Sequence, residues 1–198
     1  MKIDQIAAIL YTLRDYVQTQ EDLKRTLEKV SAIGYRAVQV SGVPSDMMPP
    51  EAMARLCEEN GLAICATHET PDLLFHEPEK VVERLRAMEV SFTAYPFPSN
   101  ADLTTADGLR EFLDNLTRAT EILAAEGITL CYHNHNNEFI KVEGKLVYER
   151  IFDETPIQAE PDTYWIQAGG ASPLEWVRRL GGRIPLLHLK DMAIAPPR

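Results

Sequence analysis

Cysteine is scarce. The three thiols, Cys57, Cys65 and Cys131, are odd in number and share no short ligand spacing. That excludes a disulfide frame and a zinc knuckle, and reads as buried thiols in a reducing compartment. Basic residues are also short, 20 Lys and Arg against 30 Asp and Glu, for a net charge of −10 and a pI near 5.0. A nucleic-acid backbone binder is usually basic on one face, so that class is disfavoured. No long hydrophobic run occurs. The opening stretch MKIDQIAAILYTLRDYVQ has one lysine, and its apolar run is broken at Arg14 and Asp15, so it is neither a signal peptide nor a membrane span. Linker tracts and low-complexity segments are absent as well. What remains is 45% hydrophobic and 25% charged over 198 residues, the balance of an ordinary globular chain. The expectation is one soluble, cytoplasmic domain over residues 1–198.

Amphipathic helices alternate with short apolar strands. Residues 19–34 place Leu23, Leu27, Val30 and Ile33 on one face, with Thr19 as N-cap and Gly34 as stop. The segment PEAMARLCEEN opens on Pro50, suited to a first helical turn. A further helix covers 79–88, and a longer apolar stripe runs from Leu109 to Leu123 before Gly127. Ser172, Pro173 and Glu175 form a capping box. The helix-closing glycines keep a beat of about 30 residues, which demands parallel strands joined by crossover helices. Seven strand cores are expected, near 6–10, 37–41, 63–67, 91–95, 129–132, 157–159 and 184–189. An open doubly wound sheet and an α/β TIM barrel both accept this beat. No glycine-rich phosphate loop follows the first strand, where LYTLRDY stands instead. Polar residues gather at the exits of many strands, which favours the barrel.

Those exits carry Tyr11 and Arg14, His68, the run Tyr132-His133-Asn134-His135-Asn136-Asn137-Glu138, Asp162, then His188 and Lys190. Four of the five histidines lie there, and in a barrel they would meet at one mouth. His133 and His135 alternate along a strand and can face one side. Imidazoles and carboxylates together suit zinc, manganese or cobalt. Asp162 reads equally as a metal carboxylate or as an Asx-turn residue. His188 sits between Leu187 and Leu189, so it points opposite to them: the leucines pack outward against helices while His188 faces the lumen. Lys190 faces inward too, to hold an oxyanion or pair with Asp162. Tyr11 and His68 are candidates for substrate contact, and Trp165 for an apolar wall against a sugar ring or a neighbouring subunit.

Taken together, AILYTLRD, ICATHE, LCYHNHNNEF, the Asp of PDTYW before AGGASP, and LLHLKD resemble the xylose-isomerase-like barrel family of sugar isomerases and epimerases. The resemblance implies a divalent ion (manganese, cobalt, zinc or magnesium) held at the exits of the last four strands. Asp162 and His188 match two of its ligands. His133 stands where the family has a glutamate, with Glu138 a few residues on. Either His133 binds the metal, or it contacts substrate while Glu138 serves as ligand or base. The implied chemistry is proton abstraction beside a carbonyl through an enediolate, with His133 and Glu138 as catalytic candidates and Tyr11, His68, His135, Trp165 and Lys190 binding a sugar or polyol. No nucleic acid or membrane partner is implied, and a homo-oligomer is compatible. An inosose-dehydratase-like lyase is the runner-up, and a non-catalytic barrel fragment the reading from a different class. Against a barrel of about 250 residues, the chain is expected to be incomplete at its C-terminal end or completed by a partner.

Overall fold

A computed structural model describes residues 5–99 and 101–193. Six parallel strands form one sheet in the order β1 (Ala8–Ile9), β2 (Ala37–Val40), β3 (Ala63–His68), β4 (Phe92–Tyr95), β5 (Thr129–His133) and β8 (Gln158–Glu160). Each successive pair is joined by helix. These are α1 (Gln20–Ile33), α2 (Pro50–Glu59), α3 (Pro71–His76) with α4 (Pro78–Ala87), α5 (Ala106–Ala125) and α6 (Val147–Glu154). Two short helices, α7 (Thr163–Ala168) and α8 (Pro173–Arg179), follow the last strand. A 3-10 helix, Leu10–Tyr16, leads out of β1, and a small hairpin of β6 (Lys141–Val142) and β7 (Lys145–Leu146) precedes α6.

Local chemistry sets these boundaries. Thr19 accepts the Asp22 backbone N–H at 3.1 Å and starts α1, which ends where Gly34 turns left-handed at φ +113°. Ser172 likewise accepts the Glu175 N–H at 3.4 Å to start α8. Leu23, Leu27 and Val30 of α1 and Leu109, Phe112, Leu113, Leu116 and Leu123 of α5 are buried in one core. Along β5, Tyr132 points into this helical layer, stacking on Tyr95 at 5.7 Å and meeting Phe112 and Phe152 edge-on. His133 must then face the opposite side of the sheet.

That opposite side is concave. Gln39 in β2 and Glu160 in β8 are four strand steps apart, about 19 Å across a flat sheet. Their side chains nevertheless meet at 2.5 Å. Only a sheet curled into a barrel wall brings them together.

The expected seventh strand is reduced to one parallel bridge, Asp162 to His188. Backbone bonds from Ala159 N–H to Arg183 and from His188 N–H to Pro161 keep the segment alongside β8. Pro185 interrupts it, having no N–H to give a ladder. Leu187 and Leu189, expected to be packed outward against helices, are 37% and 60% exposed. The terminal PPR lies outside the described residues.

One close approach in the C-terminal part is testable. A Cβ built on Gly169 would stand 2.4 Å from Phe139 Cδ2 and 2.6 Å from its Cγ. The Phe139 ring is itself wedged against Tyr148 and Trp176. Gly169→Ala should therefore cost about 1–3 kcal/mol, the usual penalty of overpacking, read as a lowered thermal midpoint.

Candidate metal centre

The lumen-facing positions of neighbouring strands converge. His68 ends β3, His133 ends β5, Glu160 ends β8, and His188 follows on the bridged segment. Each offers one ligand atom, and the four atoms lie within 4.8 Å of one another. His133, Glu160 and His188 are buried and His68 is half-buried. His68 Nε2 lies 2.7 Å from Glu160 Oε2, and His133 Nδ1 lies 3.6 Å from the same oxygen. His188 Nε2 is 3.4 Å from Glu160 Oε1. The His133 and His188 rings are 4.5 Å apart, and those of His68 and His133 5.1 Å apart.

Asp162 borders this group. Its Oδ2 is 2.5 Å from Lys190 Nζ, 3.6 Å from His188 Nδ1 and 3.9 Å from His133 Nε2. Its Oδ1 accepts the Trp165 N–H at 3.1 Å and so caps α7. Both roles read from sequence, site carboxylate and turn residue, are thus filled by one side chain. Asn keeps the capping oxygen and Ala does not. Asp162→Ala should lose about 1 kcal/mol of stability that Asp162→Asn retains, which chemical denaturation of the pair would show.

Electrostatics follow from the burial. Burial opposes charge on Glu160, but the imidazoles of His68 and His188 overcome it and hold its carboxyl well below the usual range. The same contest, won by His188 and Lys190, keeps Asp162 low. Burial opposes charge on His188 too, yet the nearby carboxylates of Asp162 and Glu160 push it up to about 9. Burial drives His133 well down, with His68 adding to the effect, and takes His135 to about 4.

The structure does not bring Glu138 into this group. Glu138 Oε1 accepts the Tyr132 hydroxyl at 2.7 Å and its Oε2 accepts the His135 backbone N–H at 2.9 Å. Because Tyr132 faces the helical layer, the fully buried Glu138 sits behind the sheet wall. His135 comes forward instead, its ring 5.0 Å from His133 and 4.9 Å from both Phe97 and Trp165. Lys190 stands at the rim with its side chain 33% exposed. Tyr11 is 55% exposed, with the Arg14 guanidinium 5.1 Å over its ring.

Sequence reasoning passed over Glu160 and Gln39. Both carried a signal. Gln39 is a polar residue flanked by Val38 and Val40, as His188 is by leucines, and Glu160 stands two residues before Asp162 on the same strand face.

The donor set fits a divalent cation. Three imidazoles and a carboxylate suit a borderline ion, and two of the buried nitrogens, His133 Nδ1 and His188 Nδ1, have no hydrogen-bond partner.

Comparisons with known proteins agree with this architecture. No match was found among curated proteins. Among solved structures, a sugar phosphate isomerase/epimerase from Parabacteroides distasonis is similar with a TM-score of 0.80 at 24% identity, over 96% of this chain and 76% of that one. An L-ribulose 3-epimerase gives 0.71 at 16% identity, over 92% and 68%. A probable 3-DHS dehydratase, AsbF, from Bacillus anthracis gives 0.69 at 12% identity, over 95% and 73%. At these identities the likeness is one of fold. The family model of the xylose isomerase-like TIM barrel matches residues 27–197. The chain belongs to the xylose isomerase-like TIM barrel family.

Proposed function

We propose that the chain is a divalent-metal-dependent isomerase or epimerase of sugars or sugar phosphates, moving a proton at the carbon beside a carbonyl. The observation that carries this reading is the buried group of His68, His133, Glu160 and His188, four ligand atoms within 4.8 Å at the carboxyl ends of barrel strands. Active sites of such barrels lie at that end. Two of the similar structures are described as a sugar phosphate isomerase/epimerase and an L-ribulose 3-epimerase.

His68, His133, Glu160 and His188 would hold the ion, with Asp162 beside them. A bound divalent ion supplies Lewis acidity, polarising a carbonyl oxygen and stabilising the negative charge that develops on it. The chain's own groups do the remainder. Lys190 presents an ammonium at the rim, where an oxyanion or a phosphate would be received. Phe97, His135 and Trp165 form an aromatic wall that can cover the apolar face of a sugar and keep water out. Burial keeps the His135 ring neutral and its Nδ1 has no hydrogen-bond partner, so this imidazole is the candidate base. General base work of this kind is worth about 100- to 10,000-fold in rate. Glu138 anchors the main chain at this position from behind, its carboxylate accepting the His135 backbone N–H.

The test is incubation of the metal-loaded protein with a panel of keto-sugars and their phosphates in deuterated water. Deuterium at the α-carbon of recovered sugar, abolished by a chelator, is expected. Loss of water from the substrate would mark a dehydratase, and no exchange or turnover with any panel member would reject the reading.

A further inference from the structure

Gln39 is 3% exposed, in the middle of an apolar strand. A buried amide is costly there unless both its ends are bonded. Both are. Gln39 Nε2 donates to Glu160 Oε1 at 2.5 Å, and Gln39 Oε1 lies 2.6 Å from His188 Nε2. Chemistry fixes which way the amide faces. The NH₂ is the amide's only donor and meets the Glu160 carboxyl oxygen, which leaves the carbonyl to meet His188. A carbonyl brings no proton, so the proton of that second bond belongs to His188 Nε2. The other ring nitrogen, His188 Nδ1, is buried, has no hydrogen-bond partner and lies 3.6 Å from Asp162 Oδ2. His133 Nε2 lies 3.9 Å from the same oxygen.

We infer that Gln39 is a positioning residue for His188, retaining the proton on Nε2 so that Nδ1 is the nitrogen offered to a cation, while its NH₂ orients Glu160. A second-sphere acceptor of this kind fixes both the tautomer and the ring angle of a ligating histidine. It reaches across the lumen, from β2 to residues 121 and 149 positions later in the chain. The half of the inference that concerns a cation rests on the metal reading above. The half that concerns the Nε2 proton does not.

The experiment uses protein labelled with ¹⁵N-histidine. Long-range ¹⁵N–¹H spectra of the imidazoles are recorded with and without zinc, and zinc affinity is measured by calorimetry. In the wild type, His188 should carry a slowly exchanging proton on Nε2 in both states, and zinc should shift Nδ1. Gln39→Leu and Gln39→Met should lose that slow exchange and bind zinc about 10- to 100-fold more weakly. Gln39→Glu keeps an acceptor for His188 and should restore the Nε2 signature, although a second carboxyl against Glu160 perturbs zinc binding. The inference is overturned if Gln39→Leu leaves the His188 signature unchanged with zinc affinity within about twofold of wild type, short of the loss expected for a second-sphere partner. If Gln39→Leu does not fold, absence of the Nε2 proton in Gln39→Glu overturns it equally. Wild-type protein that binds no zinc would reject the metal reading, while the metal-free spectra still decide the role of Gln39.

Discussion

Glu160→Gln is expected to weaken binding of a divalent cation by about 100-fold or more. Loss of an outer-shell partner alone costs about 10- to 100-fold in metal affinity, and Glu160 would be a direct donor whose charge is lost as well. The substitution preserves volume, so packing around residue 160 is not the cause. The carboxylate is lost between His68, His133 and His188, and an amide NH₂ then competes with the Gln39 NH₂ and the His68 ring. Glu138→Gln is the matched control. That carboxylate lies behind the wall, bonded to Tyr132 and the His135 N–H, so its amide should cost about 1–3 kcal/mol of stability and leave cation affinity near wild type. Calorimetric titration of both variants, beside thermal melts, separates a ligand from a brace. Equal loss of affinity in the two would restore Glu138 to the ligand set.

Asn134→Leu carries the largest expected loss of stability. Asn134 is fully buried, and its Oδ1 accepts the Asp162 N–H at 2.9 Å and the Tyr148 hydroxyl at 3.2 Å. Leucine fills the space and leaves both donors buried without a partner, at about 1–3 kcal/mol each. Tyr148→Phe removes one of those donors. In the double variant Asn134→Leu/Tyr148→Phe, part of the loss should return, because only the Asp162 N–H stays orphaned. Urea unfolding of the two single variants and the double measures this coupling. An additive cycle would mean that the two bonds do not share Asn134 in solution. The Asp162 N–H is also what ties the β5 exit to the site carboxylate, so zinc affinity should fall in Asn134→Leu and not in Tyr148→Phe.

Much of this molecule was legible because its signals are local. Thr19 and Gly34 bracket α1 by hydrogen bonding and backbone angle alone, and the stripe from Leu109 to Leu123 needs only a period of 3.6. The strand exits pointed to His68, His133, His135, Asp162, His188 and Lys190, side chains that the fold brings close to one another. The β6–β7 hairpin escaped because its two-residue turn uses Glu143 at φ +52° before Gly144 at φ +84°. Asn-Gly or Asp-Gly would have announced it. The seventh strand was overread because LLHLKD looks like a strand while Pro185 breaks its ladder. Glu160 and Gln39 were missed for a different reason. Their significance lies in a contact across the barrel, between residues 121 apart, and no local period reports which lumen residues will touch. The geometry also divides Glu138 from His133, five residues apart in sequence but on opposite sides of β5.

X-ray absorption at the zinc edge tests the central claim most directly. The protein is loaded with zinc and dialysed before measurement. One ion per chain is expected, with a nitrogen and oxygen shell, no sulfur, and the outer-shell scattering of several imidazoles, lost in Glu160→Gln. No retained ion, or a shell without imidazole, would contradict it.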